Sequence, residues 1–371
     1  MKFYALSLLF LFIACQRPNL NPIEQITQSA HPAMLNVFHN PKGYEVQILY
    51  TEIGSDSLGQ ISFEDHSFRL NSDNYFYPAS TVKLPIAVLA LEYASANNID
   101  TSAKYSIARD SLPHSIEDDV RQIFAVSDNE AYNRLYELLG RDYINTRLRE
   151  LDLKPIRIAH RLSTSEAAKR QRDTLFFENG TLLGGTKDSI VEIISRNHLQ
   201  KGKGYMKNEQ RINQPMDFSE KNYFPLSTQH ELMKRLFFPS RYAIEKQFQL
   251  TESSRNMLLK HMHTVPRLNG YSEAEHYDSY GKFFMYGDNK DRIPEHIKIY
   301  NKVGYAYGTL TETAFIVDEK EGLSFLVSAT ILVNKNGIFN DDTYEYDDIG
   351  IPFLAQLGRE LYILNRIGGN Q

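Results

Sequence analysis

The distribution of strand-like and helix-like patterning along the 371 residues is what most limits the fold. Segments 44–53 (YEVQILYTEI) and 61–70 (ISFEDHSFRL) are rich in β-branched and aromatic residues and flank the turn-rich GSDSLG, which predicts an antiparallel pair. Three further segments of this kind, 297–304, 309–319 and 323–337, stand near the other end, the last closing on an Asn336-Gly337 turn. Between the two groups the pattern is mainly helical. Segment 81–98 (TVKLPIAVLALEYASANN) is apolar on nearly all sides, with Pro85 in the first turn, where its missing N–H costs least, and so predicts a buried helix. Helical periodicity continues through 115–140 and 141–153, and 347–364 predicts a closing helix. Strands distant in sequence must then meet in one sheet. The expected fold is α+β, an antiparallel sheet built from both chain ends and packed with an all-helical part, without repeats of fixed period.

The first residues carry a different message. Lys2 precedes a largely apolar run over 3–14, too short to span a bilayer but suited to a signal peptide, so residues 1–14 are expected to be removed on export. Phe12-Ile13-Ala14-Cys15 resembles a bacterial lipobox, and Cys15 is the one cysteine of the chain, so lipidation at Cys15 is expected to anchor the protein to a bacterial membrane, in the periplasm or at the cell surface. Residues 15–43 are polar, carry four prolines and show no sustained period, which predicts a tether, with folded structure from about residue 44. One cysteine makes no intramolecular disulfide, and the chain has no CxxC or Cys/His cluster. A net charge of -5 gives no electrostatic footprint for nucleic acid, and 42% hydrophobic residues exclude global disorder.

Three short motifs carry chemistry. Ser80-Thr81-Val82-Lys83 puts a hydroxyl at the start of the buried helix and an amine one turn later on the same face, the spacing at which lysine can take a serine proton. Ser127-Asp128-Asn129 falls between two helices, and Lys302-Val303-Gly304 ends a strand. Each has a twin in the chain: Ser279-Tyr280-Gly281-Lys282, Ser72-Asp73-Asn74 and Lys335-Asn336-Gly337. Order and context separate them, since the first set runs helix start, interhelix loop, then strand.

That set resembles the S-x-x-K, S-D-N and K-[ST]-G motifs of class A β-lactamases and penicillin-binding proteins. Arg161-Leu162-Ser163-Thr164-Ser165-Glu166 is similar to the R-L-D-x-x-E opening of the class A Ω-loop. The resemblance covers about residues 44–371 and implies a sheet part at 44–75 and 293–371 and a helical part at 76–292. It also implies a serine hydrolase opening β-lactam amides through an acyl-serine intermediate. Ser80 would be the nucleophile; Lys83, or Glu166 through a water, the base; and Ser127 the proton donor to the leaving nitrogen. Asn129 would hold the substrate's side-chain carbonyl and Lys302 its carboxylate. Gly304 would belong to the substrate-binding strand motif, and the N–H groups of Ser80 and Tyr305 would form the oxyanion hole. Burial and the nearby Lys302 charge are expected to depress the Lys83 amine. The resemblance implies neither cofactor nor metal. Two rival readings share the fold: an enzyme acting on peptidoglycan peptides, and a lipid-anchored binding protein without catalysis.

Departures are as informative. Val303 replaces the family's Ser or Thr and cannot donate to a carboxylate, a loss of about 1–3 kcal/mol, so recognition would lean on Lys302, Tyr305 or Tyr307. Arg170 stands where the Ω-loop has an asparagine that seats the hydrolytic water. The stretch from Glu166 to Lys302 is about twice as long as the resemblance implies, which predicts an insertion near 175–292. The basic runs 169–172 and 201–204 read as solvated loops, His261-Met262-His263 as a helix C-terminus, and the acidic residues of 341–348 as N-terminal charge for the last helix.

Overall fold

A computed structural model describes residues 21–55, 57–108 and 110–368; the signal segment and Cys15 lie outside them. Five strands form an antiparallel sheet: β1 (Gln47–Ser55), β2 (Ile61–Phe68), β3 (Ile297–Ala306), β4 (Thr309–Asp318) and β5 (Leu323–Leu332). Their order across the sheet is β3-β4-β5-β1-β2, so the two ends of the chain meet where β1 pairs with β5 (Tyr50 opposite Val327). This is the sheet the patterning predicted, and β3 is left at its edge.

Each face of the sheet has its own core. On one lie α3 (Lys83–Ala96), α4 (Ile116–Ala125), α5 (Asn129–Leu139), α6 (Arg141–Glu150), α7 (Leu226–Phe237) and α8 (Glu252–His263). The helix α3 is apolar all round because it is the centre of this part, buried along Lys83–Leu91 and packed on α5 and α4. On the other face α9 (Ile351–Gly368) packs through Phe353, Leu354, Leu357 and Leu361.

The region read as a tether is folded from Pro22 onward. The helices α1 (Pro22–Thr27) and α2 (Pro32–Phe38) bury Ile23, Ile26, Met34 and Val37 in the α9-side core. Two of the prolines that looked like breakers occupy first helical positions, and Asn21 with Glu24 forms a capping box. In helices this short, period is invisible, which is why composition misled.

The extra length at 175–292 is no separate unit. Leu175 and Phe177 sit in the helical core, and α7 and α8 pack on the sheet and on α4. Between them short strands form a three-stranded sheet in which Ile338–Phe339 runs parallel to Gly204–Lys207. The inserted segment is thereby tied to the chain just beyond β5. The basic runs are not simply solvated: Arg172 donates to the Glu137 and Leu138 carbonyls, and buried Lys201 pairs with Glu45. Among the described residues no helix is long and apolar enough to cross a membrane.

Candidate active site

Ser80 lies in a turn of 3-10 helix (Ala79–Val82) that runs directly into α3. Ala79 takes a left-handed φ of 45°, an uncommon conformation for a residue with a side chain and one that clusters at functional sites. Across from the turn is the edge strand β3, whose outer row of N–H groups the sheet leaves unpaired. Gly304 is pressed against the turn: a Cβ there would stand 2.5 Å from the Pro78 carbonyl and 2.9 Å from the Ser80 nitrogen. Only glycine permits that approach.

The Ser127-Asp128-Asn129 motif is shaped by a helix start. Asp128 is the N-cap of α5, accepting from the Ala131 N–H at 2.7 Å, and Ser127 before it has a left-handed φ of 57°. That geometry turns the Ser127 and Asn129 side chains toward α3. Lys83 Nζ donates to Asn129 Oδ1 (2.7 Å), to Ser127 Oγ (3.1 Å) and to the Ser127 carbonyl. From the opposite side Lys302 Nζ donates to Ser127 Oγ at 2.9 Å. One hydroxyl therefore links both lysines. Lys83 is fully buried, and desolvation lowers its pKa to about 7; the opposing charge of Asp128 works the other way. The like-charge repulsion expected on Lys83 is felt instead by Lys302, whose pKa is lowered first by burial and then by Lys83 and Lys282.

Ser80, Ser127, Asn129, Lys302 and Tyr305 all line a single cleft of about 740 Å³, with Gly304 and Lys83 immediately behind its wall. Glu166 does not join them. It is half-exposed and held by Lys169 at 3.1 Å, while Arg170, in the position of the expected water-seating amide, donates to the Asp188 carbonyl. The segment reaches the site through Ser163 instead, whose Oγ accepts from Asn129 Nδ2 at 2.9 Å with a left-handed φ of 50°. Arg161 anchors that segment internally, fully buried against Glu137 and donating to the Lys169 carbonyl. Val303 is buried in the α9-side core, so its side chain is a packing residue.

The serines and lysines of the twin motifs fall outside the cleft, although Tyr280 and Gly281 line it, and one twin is structural. Lys282 is a buried ammonium whose three protons go to the Met262 and Ile299 carbonyls and to Asn301 Oδ1. Asn301 in turn donates to Glu312, whose pKa burial raises to about 7. This network fixes β3 beneath Lys302, and its signal in the sequence was the polar Asn301 beside Lys302 in a strand. The cleft's tyrosines, Tyr77, Tyr280, Tyr344 and Tyr346 besides Tyr305 and Tyr307, were also missed, because they come from four separate segments. Away from the cleft, on β1 and β2, Glu52, Glu64 and His66 are the group among the described residues that brings three possible metal ligands together.

An antiparallel sheet faced by a helical part, with an S-x-x-K serine at their junction, defines a β-lactamase-like fold. A family model described as the beta-lactamase enzyme family matches residues 33–183. A class A beta-lactamase from Bacteroides cellulosilyticus superposes with a TM-score of 0.52 over 90% of this chain and 97% of its own, at 11% identity. The structure of L2 complexed with relebactam gives 0.51 over 91% and 97%, at 14% identity. A beta lactamase from Xanthomonas campestris gives 0.50 over 89% and 97%, also at 14%. At these identities the likeness is one of fold, and no curated protein matches the sequence. The family model covers the residues from α2 to the start of the inserted segment, and the neighbours share the fold over most of the chain, so what the comparisons show is likeness to β-lactamases in both respects.

Proposed function

We propose that this protein opens β-lactam amides by acylation of Ser80. The observation that carries the reading is the Ser127 hydroxyl, bonded to both Lys83 and Lys302 in the cleft that Ser80 lines. Neutral Lys83 takes the Ser80 proton as Oγ attacks the lactam carbonyl carbon. The carbon–nitrogen bond breaks, Ser127 passes its proton to the leaving nitrogen, and Lys83 restores it. Lys302 and the N–H groups beside Gly304 supply positive potential for the carboxylate and the developing oxyanion. A fluorescent penicillin tests this: covalent labelling lost in Ser80→Ala is expected, and an adduct that persists in that variant refutes it.

The outward Glu166 favours a second reading for the later step. With that carboxylate paired to Lys169, deacylation is slow, and the enzyme then resembles a penicillin-binding protein whose natural acyl donor is a peptidoglycan peptide. Long-lived labelling supports this reading, and turnover within seconds removes it. Export and lipidation at Cys15 belong to the same proposal. Cys15→Ala is expected to move the protein to the soluble fraction, and an unmodified Cys15 in the mass spectrum of the wild type would defeat that part.

A further inference from the structure

We propose that the cleft selects acyl donors whose side chain carries an ammonium group, received by Asp342 among Tyr307, Tyr344 and Tyr346; this rests on acyl transfer at Ser80. Three charged residues line the cleft among those described: Lys302, Asp128 and Asp342. Lys302 is engaged with Ser127, and Asp128 caps α5. The Asp342 carboxylate makes no hydrogen bond or ion pair among the described residues, so it is the one anionic acceptor in the cleft with its capacity unspent.

Its surroundings suit an organic cation. Tyr307, Tyr344 and Tyr346 line the same cleft. Burial pushes their phenols up, and the charge of Asp342 adds to the effect in all three, so the rings stay neutral beside the carboxylate. A carboxylate among aromatic rings attracts an alkylammonium by charge, and a ring face turned to the cation adds to it through its quadrupole.

The position of Asp342 is built. Asn340 and Asp342 both have left-handed φ, 59° and 55°. Asn340 Nδ2 donates to the Met206 carbonyl (3.0 Å) in the inserted segment, and its N–H to Tyr344 Oη (2.7 Å). The neighbouring Asp341 is consumed locally, accepting from Asn336 at 2.7 Å and from the Thr343 N–H at 3.0 Å. The parallel pairing of Ile338–Phe339 with the strand Gly204–Lys207 brings this loop to the cleft. Supplying a subsite for the donor's side chain is thus what the inserted segment does for the reaction.

The test compares second-order rates of Ser80 acylation, read by intact mass, for ampicillin and benzylpenicillin, which differ by one amine, at a mildly acidic pH where that amine is charged. Wild type is expected to favour ampicillin by about fivefold, the range of an exposed ion pair with cation–π support. Asp342→Asn should bring the ratio to about one, Asp342→Lys should invert it, and Asp342→Glu should restore most of it. High salt should shrink the wild-type preference. A wild-type ratio of one or less, a ratio unchanged in Asp342→Asn, or equal loss with both penicillins in that variant overturns the inference while leaving acyl transfer standing. Failure of both penicillins to acylate the wild type overturns the acyl-transfer reading, and this inference with it.

Discussion

Replacing Gly304 by alanine probes the contact on which the proposed oxyanion hole depends. The new methyl carbon would stand 2.5 Å from the Pro78 carbonyl oxygen and 2.9 Å from both the Ser80 and the Thr81 nitrogens, against an ordinary contact of 3.4 Å or more. All three atoms are backbone, so no rotamer relieves the clash, and strand and turn must part by up to about 0.9 Å, the difference between those two distances. The turn resists through the bond from Thr81 Oγ1 to the Pro78 carbonyl at 2.7 Å, and the strand through its full pairing with β4. Overpacking of this kind costs about 1–3 kcal/mol of stability. Displacing an oxyanion donor by such a distance costs roughly a hundredfold or more in the acylation step. The assay is the second-order rate of labelling by a fluorescent penicillin, beside the thermal unfolding midpoint. A folded protein that labels at least about a hundredfold more slowly is expected. Labelling within about threefold of wild type would refute the claim that the Ser80 and Tyr305 amides act together across Gly304.

With Lys83 as the base and its pKa near 7, the amine is neutral only above that value, so acylation should rise with pH through about 7 and then level off; a flat profile between mildly acidic and mildly basic pH would remove Lys83 from that role. Glu166→Gln should leave both acylation and the lifetime of the adduct unchanged, since the side chain faces solvent beside Lys169, and a trapped adduct in that variant alone would show that the segment swings inward. Arg161→Ala removes the cation paired with the buried Glu137 carboxylate, which keeps its bond from the Asp173 N–H, and frees the Lys169 carbonyl, a loss of about 3–5 kcal/mol that denaturant titration can read; a change below about 1 kcal/mol would mean that water replaces the guanidinium.

The sheet and its neighbours were legible because their signals are local and strong. The three strands from Ile297 to Leu332 are long and β-branched, and α3 is long and wholly apolar. Ser80, Ser127 and Lys302 were legible as residues that meet, because the elements that bring them to one cleft, a helix start, an interhelix turn and an edge strand, are marked in the sequence. What failed depended on direction rather than type. Glu166 has the right neighbours in sequence, but Ser163 takes the inward place and the intervening turn points the carboxylate out. Val303 lines the cleft but is buried in the α9-side core, where it packs. The cleft's tyrosines and Asp342 lie on separate segments that meet through ring contacts such as Tyr77 with Tyr307 and Tyr305 with Tyr346 and through a strand pairing of two residues, none of which a period reveals.

The docked helices α1 and α2 set a working height. Were residues 16–42 a free tether, a lipid at Cys15 would let the catalytic part range up to ~90 Å from the bilayer at full extension. Because α1 begins at Pro22, the proposed lipid at Cys15 would stand no more than ~20 Å from the folded part, the reach of so few residues. On that proposal the body could not tumble freely, and the α9 side of the sheet, where α1 is docked, would stay turned toward the lipid. An enzyme so anchored would sample the thin layer next to its membrane, and its encounter rate with a donor would be governed by how much of that donor lies within that layer.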